Sequence, residues 1–210
     1  MRVLTKSKYI LGLECPKHFW MSFNQPEKLK KLGIAQQFIV NEGIKVGELA
    51  KSLFKNGVNI SIENYSENLN ITQDALKQKK YLFEAGFQFE NYYSRTDILE
   101  PVENEWDIIE VKSGTSVKDV NIHDLSFQKF VCESSGLKIR KCFLMHLNNK
   151  YVRNGEIELE KLYVKEDVTS EVNKVIVRIN DRINELFKII YSKEVPKAGV
   201  LIEKMFNDGP

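Results

Sequence analysis

Three strand-like runs follow one another in the middle of the chain, and they constrain the fold more than any other feature. They cover residues 81–89, 92–99 and 106–112, and Pro101 with the acidic residues after it supplies the last turn. Aromatic and β-branched residues dominate the runs, as is typical of strands. We therefore predict three neighbouring strands of one sheet.

Helical patterns flank these runs on both sides. Before them we predict helices at 5–14, 34–54 and 73–80, and a loop around a short strand at 59–70. After them we predict a helix capped by Asn121, strands at 138–147 and 156–164, and a helix at 171–190 with a continuous apolar stripe. This order is typical of an α/β or α+β fold in which helices flank a mixed central sheet.

The length suits a single domain with a sizeable core. We expect one domain, 1–210, with an N-terminal helical part (1–58), a sheet core carrying any active site (81–165) and a C-terminal helix (171–192). The net charge of +2 balances 31 basic and 29 acidic residues, so the composition carries no general signature of nucleic-acid binding. Polyanion contacts would need local basic clusters, which occur at 28–31, 77–80 and 138–141 and serve equally well as solvated surface.

The three cysteines, Cys15, Cys132 and Cys142, are odd in number and far apart in the chain. This spacing argues against a disulfide framework and favours a reducing compartment. No apolar run reaches the ~20 residues that a membrane span needs. We expect a cytoplasmic protein without a membrane partner.

Two acids and a lysine lie in strands that otherwise look buried. Asp97 is near the end of the second run, and Glu110 and Lys112 are two residues apart in the third. Side chains two apart in a strand share a face, and a tight turn would return Asp97 beside Glu110. Converging carboxylates repel unless a cation lies between them, and a divalent metal is one such cation. An ordinary surface ion pair between Asp97 and Lys112 explains these residues equally well.

Two further polar residues bear on this choice. Gln128 lies in the middle of an inward-facing stripe of the helix after the third strand, where a satisfied core amide is the ordinary interpretation. Glu48 follows Gly47 on the long helix, and a missing side chain at Gly47 would let that helix approach the sheet closely. Taken alone, Glu48 reads as a solvent-facing acid.

The ordered set Glu48, Asp97, Glu110-Val111-Lys112 and Gln128 resembles the PD-(D/E)XK nuclease superfamily in its RecB-like branch, which includes CRISPR-associated RecB-like exonucleases and bacterial RecB-like nucleases. Two N-terminal segments, 4–17 and 43–50, resemble signatures of that branch, and the likeness extends over 4–153. It implies a restriction-endonuclease-like mixed sheet flanked by helices. It also implies a metal-dependent deoxyribonuclease, more often an exonuclease, that acts on single- or double-stranded DNA, alone or in a larger DNA-processing assembly.

The resemblance implies a role for each residue. Asp97, Glu110 and the Val111 carbonyl would hold Mg²⁺ or Mn²⁺, and Glu48 would add a ligand, although many relatives carry histidine at that point. Lys112 would position the attacking water and stabilise charge on the phosphate, and Gln128 would steady the site. These groups supply what phosphodiester hydrolysis most needs.

Iron–sulfur members of this branch use one early cysteine and three near the C-terminus. Cys15, followed by Pro16, matches the first, but no cysteine follows Cys142. We expect no cluster, with Cys132 and Cys142 as small core residues. Two alternatives to an active nuclease stay open. One is a nucleic-acid-binding module with little activity, and the other is a structural or regulatory domain of a larger assembly.

Overall fold

The computed structural model describes residues 2–197 and residue 199. The C-terminal segment 205–210, near which the cysteine trio of iron–sulfur relatives would lie, falls outside this range. The strands are β1 (Leu4–Thr5), β2 (Val58–Asn59), β3 (Leu82–Phe89), β4 (Tyr92–Val102), β5 (Glu105–Lys112), β6 (Ile139–Leu147) and β7 (Tyr163–Asp167). The helices are α1 (Lys6–Glu14), α2 (Pro16–Asn24), α3 (Ile34–Lys51), α4 (Tyr65–Leu76), α5 (Asp119–Ser134), α6 (Leu159–Leu162), α7 (Thr169–Ile176) and α8 (Ile179–Tyr191).

One mixed, seven-stranded sheet organises the molecule, in the order β2-β3-β4-β5-β6-β7. β3, β4 and β5 form an antiparallel meander, β5 and β6 are parallel, and β7 is antiparallel to β6. The seventh strand, β1, pairs in parallel with the start of β4, where Leu4 lies opposite Tyr92. The predicted fold class, a mixed central sheet flanked by helices, is therefore confirmed.

Both faces of the sheet are covered, as the alternation along β5 shows. Trp106 and Ile108 belong to the larger core, under α1, α4, α5, α7 and α8. Ile109 and Val111 belong to a smaller core on the other face, under α3 and α6. A strand buried on both faces favours apolar residues at nearly every position, so the charged residues at its end stand out.

Several predicted boundaries were wrong because local signals have more than one meaning. The helix predicted at 5–14 matches α1, which ends at Glu14, but a second helix that was not predicted, α2, begins at Pro16, where the missing N–H of proline costs no hydrogen bond. The segment predicted as a loop and a separate helix at 73–80 contains α4, which Asn64 caps. The predicted strand at 156–164 is replaced by α6 and the later β7.

The long helix predicted at 171–190 is two helices that meet at Val177 and Arg178. Its apolar stripe is correct, since Val172, Ile183 and Ile190 are buried. Lys118, not Asn121, is the N-cap of α5, although Asn121 Oδ1 accepts a hydrogen bond from the Lys118 N–H at 3.0 Å. Among the described residues, no helix has both the length and the apolar character needed to cross a membrane.

Candidate active site

The pairing of β4 and β5 brings two carboxylates together at one end of the meander. Ile98 lies opposite Ile109, so continuing the antiparallel register places Asp97 opposite Glu110. Directly opposed residues of an antiparallel pair project to the same face. Asp97 Oδ2 also accepts a hydrogen bond from the Val111 N–H at 2.8 Å, which anchors this carboxylate to the neighbouring strand.

Glu110 is almost fully buried, and two sequence-predicted residues bind it. Lys112 Nζ lies 2.6 Å from Glu110 Oε1, and Gln128 Nε2 donates to Glu110 Oε2 at 2.7 Å. Gln128 is fully buried on α5, so it supports Glu110 from beneath and does not line the open cleft. The structure thus brings Asp97, Glu110, Lys112 and Gln128 into one connected group.

Two residues that the sequence analysis did not place in the site complete this group. Lys6 Nζ donates to both oxygens of Glu110, at 2.9 and 3.1 Å, and lies 3.8 Å from both Asp97 Oδ1 and Asp124 Oδ1. Asp124 binds Lys112 Nζ through Oδ2 at 2.7 Å and Gln128 Nε2 through Oδ1 at 3.0 Å. Asp124 is one helical turn before Gln128, and that spacing was the available signal.

Lys6 reaches the site because of an unusual strand pairing. β5 pairs with β4 only from Ile98 onward, and β1 pairs with β4 at Tyr92 and Tyr93. β1 therefore occupies the edge of β4 beyond the end of β5. The first residue of α1, Lys6, follows β1 directly and projects between the carboxylates.

Charge compensation in the group is uneven. Burial raises the pKa of Asp97 and of Asp124, and the Glu110 carboxylate raises the pKa of both further. Burial would also raise the pKa of Glu110, but the ammonium groups of Lys112 and Lys6 hold the pKa of this carboxyl well below its usual range. Burial opposes charge on the two lysines, yet the surrounding carboxylates raise both of their pKa values. Glu110 is therefore a firmly charged centre shared by two cations.

A cleft of about 520 Å³ opens onto this group and is closed on the opposite side by α3. Glu48 lies in the same cleft, but its carboxylate is 2.6 Å from Lys51 Nζ and is largely exposed. Lys51 also binds Glu84 at 2.9 Å. Gly47 was expected to let α3 approach the sheet closely, and this was wrong, since a Cβ built there meets no atom within 4 Å. The structure thus brings Glu48 to the cleft wall and pairs it with Lys51.

The donors at this centre suit a hard divalent cation in their chemistry. Asp97 and Glu110 offer carboxylate oxygens from adjacent strands, which are the ligands that Mg²⁺ and Mn²⁺ prefer. Over residues 2–197 and 199, no three His, Cys, Asp or Glu side chains are grouped so as to hold a metal ion by themselves. A metal here would thus use two carboxylates and a main-chain oxygen, and it would share Glu110 with Lys6 and Lys112.

No protein-family model matches this chain, and no curated protein sequence matches it significantly. Among solved structures, the chain is similar to an alkaline exonuclease from Laribacter hongkongensis, with a TM-score of 0.49, 9% identity, and 98% of this chain and 94% of that chain covered. The same exonuclease in complex with dAMP gives 0.48 at 11% identity, with 90% and 89% covered. A structure titled SSO0001 gives 0.46 at 11% identity, with 94% and 89% covered. Because these scores lie below 0.5, the functional assignment rests on the chain's own residues.

Proposed function

We propose that this protein is a metal-dependent nuclease that hydrolyses DNA phosphodiester bonds, acting from strand ends as an exonuclease. The observation that carries the proposal is the convergence of Asp97 and Glu110, from adjacent strands, with the Lys112 ammonium in one open cleft. The same residues in the same order define the nuclease family that the sequence resembles. The convergence concerns the positions of these residues in space, and the resemblance concerns their order in the chain.

Each residue has a chemical task in this proposal. Asp97, Glu110 and the Val111 carbonyl would hold Mg²⁺ or Mn²⁺, with Glu48 as a further candidate ligand from α3; when bound, the metal supplies Lewis-acid stabilisation of charge on the phosphate. Lys112 orients the attacking water and stabilises negative charge as the phosphate reacts. Gln128 holds the Glu110 carboxylate in place through its 2.7 Å hydrogen bond.

Lys6 and Asp124 extend this assignment. Lys6 places a second ammonium on the cleft side of Glu110, where it favours the approach of a phosphate. Asp124 binds Lys112 at 2.7 Å beside the 2.6 Å contact with Glu110, and these two contacts limit the directions in which the ammonium can point.

A cleavage assay tests this function. Linear single-stranded DNA, linear duplex, circular DNA and RNA are incubated with the protein in Mn²⁺, Mg²⁺ or EDTA. We expect metal-dependent release of short products from linear DNA and no cleavage of circles. Glu110→Gln should lower the rate at least ~100-fold, as the loss of a charge-stabilising group does elsewhere.

Glu105→Gln, an exposed acid on the same strand, is the matched control and should keep the wild-type rate. Absence of cleavage by the wild-type protein under every condition would contradict the proposal. Full activity of a correctly folded Glu110→Gln protein would contradict it equally, because cleavage would not depend on this carboxylate. Absence of cleavage is the result that would favour a catalytically weak binding module.

A further inference from the structure

A second pocket adjoins the candidate active site on the side away from Lys112. Its volume is about 270 Å³, near the lower limit of small-ligand sites. It shares Lys6, Ser7, Glu84 and Asp97 with the cleft. A polymer whose phosphate reaches the carboxylates therefore places its neighbouring unit at this pocket.

The wall of this pocket is an aromatic platform. The Tyr65 ring stacks on the Tyr93 ring, with centroids 4.3 Å apart and planes 20° from parallel. Tyr93 is buried, whereas Tyr65 is 45% exposed and lines the pocket. A ring held by a buried partner and open to a cavity is a stacking surface for a planar ligand.

A buried amide fixes the platform in place. The Tyr93 hydroxyl donates to Asn68 Oδ1 at 3.2 Å, and Asn68 Nδ2 donates to the main-chain oxygens of Ile60 and Glu84, at 2.7 and 3.0 Å. Asn68 is fully buried, so these contacts leave the ring of Tyr93 little freedom. The platform is therefore set before any ligand arrives.

Strained backbone accompanies this network. Glu84, the third residue of β3, has φ 58, a conformation that is uncommon for a non-glycine residue and that clusters at functional sites. Glu84 lines both pockets, and its carboxylate lies 2.9 Å from Lys51 and 3.9 Å from Arg95. Asn68, which binds the Glu84 carbonyl, also holds this conformation.

Arg95 supplies the charge that an aromatic surface lacks. Its Nη2 donates to the Ile62 carbonyl at 3.1 Å, which leaves other guanidinium N–H groups for the pocket. A planar guanidinium suits a phosphate, and Ser7 adds a hydroxyl at the mouth shared with the cleft. An aromatic plane, a guanidinium and a hydroxyl are the groups that bind a nucleotide by its base and its phosphate.

We propose that this pocket is a nucleotide subsite, in which Tyr65 stacks on the unpaired base next to the scissile phosphate and Arg95 binds the adjoining phosphate. The inference rests on the proposed function and names its substrate class: a single-stranded or frayed end. A base stacked between its neighbours in a duplex does not offer its face to Tyr65, so a blunt duplex has to fray at its end and is a poorer substrate than a single strand.

The test measures whether Tyr65 and one base of the substrate recognise each other. Fluorescein-labelled oligothymidylate, and versions with one abasic unit at each of the first three positions from either end, are bound in EDTA and followed by anisotropy. We expect one abasic position to weaken wild-type binding about tenfold, within the range of base–aromatic stacking. Tyr65→Ala should weaken binding of the intact strand by the same factor and be insensitive to that abasic unit, whereas Tyr65→Phe should behave as wild type.

Tyr191→Ala is the matched control, because Tyr191 is also exposed, stacked on Phe187 and close to Arg2, yet lines neither of these two pockets. Equal binding by wild type and Tyr65→Ala, or an equal response of both to every abasic unit, would overturn the subsite. Binding is measured without metal, so this result is separate from cleavage. A protein that shows the coupling but never cleaves retains the subsite and loses the proposed nuclease function.

Discussion

The Lys112 ammonium binds two carboxylates at once. These contacts hold it in the cleft, where we expect it to act on the attacking water and the phosphate. Its Nζ lies 2.6 Å from Glu110 and 2.7 Å from Asp124, and it is not a metal ligand in the proposed chemistry. We expect Lys112→Ala to abolish cleavage but to retain Mn²⁺ affinity, because the change removes positive charge and no oxygen donor. Isothermal titration with Mn²⁺, beside a cleavage assay, measures both effects.

Lys150→Ala, which removes an exposed lysine that lines neither the cleft nor the second pocket, should leave cleavage and Mn²⁺ affinity unchanged. Loss of Mn²⁺ affinity in a folded Lys112→Ala protein would count against the assigned roles.

His123 is a buried residue beside the site whose charge state affects stability. Burial, together with the Arg182 guanidinium, lowers the pKa of His123 from about 6.5 to about 4. Between about pH 6.5 and pH 4, His123 is protonated in the unfolded chain but neutral in the folded chain. The free energy of unfolding therefore falls as the pH falls through this range. This histidine should contribute up to about 3 kcal/mol to that loss.

Urea denaturation at several pH values measures the effect. His123→Gln should flatten the slope of unfolding free energy between pH 6.5 and 4, whereas His18→Gln, which removes an exposed imidazole, should keep the wild-type slope. Equal slopes for His123→Gln and wild type would refute the assignment.

At the scale of elements, two glycines differ in their surroundings: Gly86 is closely packed, whereas Gly47 has open space around it. A Cβ on Gly86 of β3 would lie 1.8 Å from Asn68 Oδ1 and 2.7 Å from the Tyr93 hydroxyl, whereas a Cβ on Gly47 of α3 meets nothing. We expect Gly86→Ala to destabilise the protein by about 1–3 kcal/mol through overpacking. Gly47→Ala should stabilise it by up to about 1 kcal/mol, the helix preference for alanine. Urea midpoints that failed to separate the two variants would contradict this packing.

The junction of α1 and α2 has a cysteine as its cap. The Cys15 sulfur accepts a hydrogen bond from the His18 N–H at 3.5 Å, and serine is a strong residue for this position. We expect Cys15→Ser to keep fold and activity, and the purified protein to be colourless, with no band near about 400 nm from an iron–sulfur cluster. Stoichiometric iron and sulfide in a brown preparation would contradict this expectation.

At the scale of the whole molecule, periodic patterns in the sequence predicted the residues of the site more accurately than they predicted where helices and strands begin and end. Strand alternation placed Glu110 and Lys112 on one face, and the helical stripe directed Gln128 inward; both rules depend only on local geometry. The contact between Gln128 and Glu110 followed once α5 packed on the sheet.

The parts of the site that the sequence did not predict depend on contacts between residues that are far apart in the chain. Lys6 reaches Glu110 only because a two-residue strand joins the edge of β4, and no local pattern marks so short a strand. Asp124 lies three residues after Asn121, the predicted cap, where an acid is ordinary in the first turn of a helix, and its partners lie on other elements or one turn away. The position of Glu48 relative to the two carboxylates depends on the tilt of α3, which sequence periodicity does not specify.

The central claim is that Asp97 and Glu110 hold a divalent cation on which hydrolysis depends. Crystals grown with Mn²⁺, with X-ray data collected near the manganese edge, test it most directly. We expect an anomalous difference peak between the two carboxylates, within coordination distance of an oxygen from each. A peak elsewhere, or none in a protein that cleaves DNA under the same conditions, would contradict the account.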